Sequence, residues 1–91
     1  MKLRFTRTAL KQIEQALSYI AERSPSGARR VSDRISATVD LVKHYPHAGQ
    51  ATSRKHVRRI VLTPYPYVIF YRHTATEVVV MRFRHAARKP L

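Results

Sequence analysis

The spacing of apolar residues changes once along this chain of 91 residues, and that change limits the fold more than any other feature. Up to about residue 44, apolar side chains recur every three or four positions, which is typical of amphipathic helices. From residue 56 onward they form β-branched and aromatic runs, which predict strands. This grouping favours an α+β fold. The length suits one domain, so residues 1–91 are expected to form a single domain.

The first half predicts one strand and a helix hairpin. Residues 2–5 alternate polar and apolar as a strand does, and Thr6 or Thr8 can cap the following helix, which ends near Arg23. A turn at 24–27 leads to the second helix, which ends before Pro46. So short a connection predicts that the two helices are antiparallel. Their apolar stripes comprise Leu10, Ile13, Leu17 and Ile20, then Ala28, Val31, Ile35, Val39 and Val42.

The second half predicts three antiparallel strands, at residues 56–62, 67–72 and 77–85. A tight hairpin between the last two would place Arg72 opposite Glu77. We expect the helix hairpin to cover one face of this sheet. The first strand can join at an edge or between later strands, and the sequence does not decide which.

Both faces of the predicted sheet carry apolar residues. Strict alternation separates Val79, Met81 and Phe83 from the other face of the last strand. A small sheet covered on one side should have a more polar outer face, so the open face is predicted to be a groove with an apolar floor and an arginine rim. The alternative is that the C-terminal tail or a second copy covers it. The predicted partner-binding set is Tyr67, Ile69, Tyr71, Val78, Val80, Arg82 and Arg84.

The charge balance predicts an anionic partner. The chain has 18 Lys and Arg against 5 Asp and Glu, a net charge of +13. Such a field attracts nucleic acid, anionic membranes or acidic protein segments, and composition alone does not choose among them. The chain has no cysteine, no apolar run approaching a membrane span and no signal-peptide pattern, so a soluble cytoplasmic protein is expected.

Neither a metal nor a cofactor is expected. The histidines are scattered along the sequence, which does not favour a metal site. The two glycines, Gly27 and Gly49, do not form a phosphate-binding loop. The histidines considered are His44, His47, His56 and His73.

The final strands resemble those of ParE-type toxins in the ParE/RelE superfamily. The resemblance lies in His56–Ile60, in Tyr65–Arg72 and in the ending Val78–Arg88 with its His85-Ala86-Ala87-Arg88. The beginning is similar as well, with an apolar strand, Thr6 near a helix start and Pro25 between two helices. The resemblance covers essentially the whole chain and implies a strand–helix–helix–three-strand toxin fold.

The resemblance also implies a function. Such proteins are the toxins of type II toxin–antitoxin systems, and an acidic, ParD-like, DNA-binding antitoxin neutralises them. ParE members poison DNA gyrase, whereas RelE members cut messenger RNA on the ribosome. On the gyrase interpretation, the residues expected to contact the target are Arg58, Arg59 and Arg88.

The residues favour gyrase over RNA as the target. RNA cleavage by 2′-hydroxyl attack needs a base, an acid and cations. His85 with Arg82 and Arg59 is the best ribonuclease set available, but residues 86–91 hold no tyrosine and Glu77 is predicted at a hairpin end. Two alternatives stay open: a RelE-like ribonuclease, and a basic nucleic-acid-binding module without toxicity, although direct nucleic-acid binding is not favoured.

Overall fold

A computed structural model describes residues 1–86 of the chain. It confirms the predicted order of strand, two helices and three strands, and adds a 3₁₀ turn and a short strand after the second helix. The elements are β1 (Lys2–Phe5), α1 (Arg7–Arg23), α2 (Pro25–His44), the 3₁₀ turn (Pro46–Ala48), β2 (Gln50–Ala51), β3 (Val57–Val61), β4 (Tyr67–His73) and β5 (Glu77–His85). No helix within residues 1–86 is both long enough and apolar enough to span a membrane.

Two side-chain caps define the helix hairpin. Thr6 Oγ1 accepts a hydrogen bond from the Ala9 amide at 3.0 Å and starts α1. Ser24 alone connects the two helices. Its amide donates the last hydrogen bond of α1 to the Ile20 carbonyl, and its Oγ caps α2 by accepting from the Gly27 amide. The connection is therefore shorter than the predicted turn at 24–27. Pro25 lies in the first turn of α2, as expected, where its fixed φ and missing N–H are tolerated.

The five strands form one sheet in the order β1-β5-β4-β3-β2. The position of β1 that the sequence left open is an edge, where β1 runs parallel to β5. The remaining neighbours are antiparallel. The hairpin register differs from the predicted one, because His73 pairs with Val78 and Arg72 therefore lies opposite Val79. Glu77 instead binds Arg4 of β1 across 3.2 Å.

The main core lies between the helices and one face of the sheet. From the helices it takes Ala9, Val31, Ile35, Val39 and Val42, and from the sheet Ile69, Tyr71, Val78, Val80 and Phe83. Leu10 departs from the predicted stripe: it is 53% exposed, and Ala9 occupies the buried position instead. The other face of the sheet is left open by the helices, and it carries the candidate site.

Candidate binding groove

The open face, meaning the sheet face away from α1 and α2, is organised in rows that cross the strands. Arg59, Phe70 and Arg82 are consecutive cross-strand partners on β3, β4 and β5. Val61, Val68 and Arg84 form the next row, and Val57, Arg72 and Val79 the row on the other side. Because side chains of paired residues lie close together on one face, each row forms a continuous surface.

These rows enclose a groove of about 370 Å³. Its apolar floor consists of Val57, Val68, Phe70 and Met81, and its rim carries Arg54, Arg59, Arg82, Arg84 and His85. Val57 and Val68 are buried although no helix covers them. Thr52, Ser53 and Ala86 complete the lining, which contains no carboxylate among residues 1–86. The groove therefore has the predicted character, but none of these four floor residues belongs to the predicted partner-binding set.

Five residues predicted to line the open face lie on the helix-covered face instead. Tyr67, Ile69 and Tyr71 alternate with Val68 and Phe70, and it is the latter pair that faces the groove. Val78 and Val80 are at most 1% exposed and pack under the helices. Their predicted place on the open face is therefore wrong, whereas Arg82 and Arg84 do lie on that face. Contact with a partner stays a prediction for the whole set.

A β-bulge at Met81 explains why the prediction failed. Tyr71 pairs with Val80, but its neighbour Phe70 pairs with Arg82, so Met81 is an extra residue in β5. Strict alternation would keep Arg82 on the same face as Val78 and Val80. The inserted residue shifts that alternation, which turns Arg82 and Arg84 outward and Phe83 inward.

Two side chains outside the sheet hold the bulge. Thr6 Oγ1 donates to the Met81 carbonyl at 2.9 Å, and the Thr6 amide donates to the Val80 carbonyl at 2.9 Å. Gln12 of α1 accepts from the Phe83 amide at 2.8 Å. These bonds occur where β1 has ended, so α1 satisfies backbone groups of β5 that no strand pairs.

The three arginines assigned to target contact do not form one set. Arg59 lines the groove, but Arg58 lies on the opposite face of β3 and donates to the Gly49 carbonyl at 2.7 Å. Adjacent residues of a strand point to opposite faces, so this separation follows from the strand itself. Arg88 lies outside the described residues. Of the two that the structure describes, Arg59 is the one that lines the groove.

The three residues considered for RNA cleavage do converge. Arg59, Arg82 and His85 all line the groove. His85 contacts the Tyr67 ring edge-on at a centroid distance of 5.3 Å, and Tyr67 stacks on Phe83 at 5.0 Å. His85 is therefore anchored at the end of β5 beside the core.

The sequence missed a histidine cluster at the opposite end of the sheet. His47 and His73, which are 26 positions apart in the sequence, approach edge-on with ring centroids 4.8 Å apart. His56 joins them around one surface cavity. Burial lowers the pKa of His73, and the nearby charges of His47, Arg58 and His56 lower it further. Within residues 1–86, no group of three potential ligands is arranged to hold a metal ion.

The charges divide between the two sides of the molecule. Four of the five acidic residues, Glu14, Glu22, Asp33 and Asp40, belong to the helices. The fifth, Glu77, has its pKa lowered by a hydrogen bond from Arg4 at the sheet edge. The groove therefore presents positive charge that no neighbouring acid balances within its lining. Such a surface attracts an anionic ligand.

Comparison with known proteins agrees with the fold and with the resemblance seen in the sequence. The family model described as the ParE toxin of the type II toxin–antitoxin system parDE matches residues 3–90. The toxin RelE2 of Caulobacter vibrioides is 34% identical over 84 residues, which cover 92% of this chain and 93% of that protein.

Two solved structures share the fold at 20% sequence identity. The chromosomal ParDE toxin–antitoxin system of P. aeruginosa superposes with a TM-score of 0.79, covering 93% of this chain and 95% of that chain. The isolated RelE toxin of E. coli superposes with a TM-score of 0.68, covering 97% of this chain and 86% of that chain. Because a family model matches nearly its full length, this chain belongs to the ParE toxin family of type II toxin–antitoxin systems.

Proposed function

We propose that this toxin acts by inhibiting DNA gyrase and that an acidic, ParD-like antitoxin silences it by binding the open groove. The observation that carries the proposal is the composition of the groove. Within the described part of the chain, its rim supplies four arginines and one histidine, and its lining supplies no carboxylate. Both the target and the antitoxin would be met in the cytoplasm.

The groove is better suited to binding than to cleaving RNA. Cleavage needs one group to take a proton from the 2′-hydroxyl and another to protonate the leaving oxygen. His85 is the single histidine among the lining residues within 1–86, and no carboxylate accompanies it there. Arginines stabilise anions but stay protonated, so they do not exchange protons at neutral pH. The family match to a ParE toxin supports gyrase independently.

The antitoxin part of the proposal follows from charge complementarity. Arginine binds carboxylates through paired, charge-assisted hydrogen bonds. The apolar floor, including buried Val68 and half-buried Phe70, offers a surface for apolar side chains between those bonds. A solved structure of similar fold is a ParDE toxin–antitoxin system, which supports a ParD-like partner.

A supercoiling assay with purified gyrase tests the target. We expect the toxin to inhibit supercoiling and to make cleaved DNA accumulate, and we expect added antitoxin to reverse both effects. The matched control is the toxin–antitoxin complex, prepared separately, which contains the same toxin protein in its silenced form and should leave supercoiling unchanged. Unchanged supercoiling with toxin in excess would refute gyrase as the target.

RelE-like cleavage of translated messenger RNA is the second candidate. It is favoured by one observation, namely that Arg59, Arg82 and His85 line the same groove. On this alternative, toxin added to a translation reaction cuts the message, and His85→Ala abolishes the cuts in a variant whose thermal unfolding matches that of the native toxin. Intact messages in the presence of active ribosomes would remove the alternative.

A further inference from the structure

We propose that the row Arg59–Phe70–Arg82 recognises an amphipathic helix of the antitoxin in which a large apolar residue lies between two acidic residues seven positions apart. The inference rests on the proposed antitoxin binding and adds the shape and the residue pattern of the bound segment. It is carried by the spacing of the row, by its charges and by its apolar centre.

The spacing comes from the sheet register. Phe70 pairs with Arg59 on one side and with Arg82 on the other, so the two arginines are two strands apart. Neighbouring strands lie about 4.8 Å apart, which places the two backbone positions about 10 Å from each other. Phe70 stands midway between them on the same face.

The charges of the row are available to a partner. Within residues 1–86, Arg82 has no ion pair or side-chain hydrogen bond, and Arg59 donates to the neutral Gln50 Oε1 at 3.3 Å. Carboxylates form shorter and stronger bonds to guanidinium groups than neutral acceptors do. Exchanging that long contact for a carboxylate is therefore favourable at Arg59. Arg82 can bind a carboxylate without giving up a contact of this kind.

The centre of the row is apolar. Phe70 is half-buried, and the floor around it is continued by Val68 and Met81. A large aliphatic or aromatic side chain placed over Phe70 would remove this surface from water. Central apolar anchors flanked by charged contacts commonly supply most of the energy of an interface.

The distance between the arginines favours a helix over an extended strand. Residues i and i+7 of a helix share a face and are about 10.5 Å apart, which matches the row. Same-face residues of an extended chain are about 6.7 or 13 Å apart, which does not match. On the helix, residue i+3 or i+4 lies between the two acids and would meet Phe70. The segment therefore crosses the strands of the sheet.

Two synthetic helical peptides of identical composition test the pattern. The first places Glu at i and i+7 with Leu at i+4, and the second moves one Glu to the opposite helix face. Calorimetric titration into the full-length toxin should show the first binding at least about tenfold more tightly, the scale of one lost charge-assisted bond. Equal binding of the two peptides would overturn the proposal.

Toxin variants test the row itself. Arg59→Gln and Arg82→Gln should each weaken the first peptide about tenfold, whereas Arg30→Gln, which removes the same charge from an exposed position on α2, should have less than about a twofold effect. In each groove variant, replacing the Glu that contacts the missing arginine by Gln should no longer change the affinity of the peptide. Equal losses in all three variants would show bulk attraction and refute the row.

Phe70→Ala tests the apolar centre, and its thermal unfolding shows whether it folds. If it does not fold, Arg59→Gln and Arg82→Gln still decide the proposal. The supercoiling assay separates this inference from the proposed function. Suppose that a cognate antitoxin reverses gyrase inhibition yet binds the row variants as tightly as it binds the native toxin. That result would refute recognition by the row and leave the proposed function standing. A toxin that leaves gyrase untouched but discriminates between the peptides would overturn the target alone.

Discussion

Tyr71 links the sheet to the segment that follows α2. Its hydroxyl donates to the Pro46 carbonyl at 2.6 Å and accepts from the Gly49 amide at 2.9 Å. Burial raises the pKa of the hydroxyl above its usual value, in agreement with its role as a hydrogen-bond donor. Gly49 is required there, because a Cβ would lie 2.7 Å from both the Arg59 carbonyl and the Tyr71 hydroxyl.

Removing that hydroxyl should destabilise the fold. Tyr71→Phe leaves the Gly49 amide and the Pro46 carbonyl without this partner, so we expect a loss of about 1–3 kcal/mol in the free energy of unfolding. Urea denaturation measures it. Tyr45→Phe, at a position that is 67% exposed, is the matched control and should change stability little. Equal stability of the two variants would contradict the bridging role.

His73 should make stability depend on pH. Its folded pKa is lowered by burial and by His47, Arg58 and His56, so the unfolded chain binds the proton more readily. Stability is therefore retained above the unfolded pKa of about 6.5 and falls as the pH drops below it. His73→Gln should flatten the dependence between about pH 8 and 5, measured by urea denaturation. His44→Gln, which removes an exposed histidine that pairs with Asp40, should leave the loss of stability at low pH in place.

At the scale of the element, α1 does more than cover the core. Thr6 begins the helix and also holds the bulge, and Gln12 binds the strand directly after it. Position 12 belongs to the polar part of the predicted helix, where glutamine is ordinary. Only the packing of α1 against the unpaired part of β5 gives that side chain its role.

Gln12→Ala should loosen the bulged part of β5. The Phe83 amide would lose its acceptor, at a cost of about 1–2 kcal/mol, and its hydrogen exchange should accelerate. Because the bulge orients Arg82 and Arg84, antitoxin affinity should fall as well. Gln15→Ala, at an exposed position of the same helix, is the control. Unchanged exchange at Phe83 would show that Gln12 does not hold the strand.

For the whole molecule, the dominant electrostatic term is repulsion. A net charge of +13 accompanies two ion pairs within residues 1–86, Arg4–Glu77 and His44–Asp40, and the latter requires a protonated histidine. Salt screens both the repulsion among the positive side chains and the attraction within these pairs. Because the repulsion is larger, screening stabilises the folded state. An acidic partner would remove repulsion in the same way while adding specific bonds.

Added salt should accordingly raise the melting temperature. We expect Tm to increase between about 0.05 and 0.5 M NaCl, over which the Debye length falls from about 14 to 4 Å. A variant carrying Arg29→Gln and Arg30→Gln, both exposed on α2, has a lower net charge and should respond less. A Tm that falls with salt would show that attractive pairs dominate.

An antitoxin that binds the folded toxin should stabilise it further. Linkage predicts about 2.7 kcal/mol at a free antitoxin concentration one hundred times its Kd. Thermal unfolding of the toxin with rising antitoxin concentration measures this shift, and a Tm independent of that concentration would contradict binding to the folded form.

The sequence by itself determined the elements and the family, because both depend on local patterns. Helical spacing, a cap at Thr6 and the β-branched runs act over a few residues, and the bounds of β1 and β5 were predicted correctly. The positive charge and the arginine rim follow from composition and from single positions such as Arg82.

Tertiary structure alone decided which face of each strand is open. Alternation specifies two faces but not which one the helices cover, and one extra residue at Met81 reversed the pattern within β5. The sequence therefore could not exclude Tyr71 or Val80 from the groove, nor include Phe70. The edge position of β1 and the meeting of His47 with His73 likewise depend on contacts between distant segments, and local periodicity carries no record of such contacts.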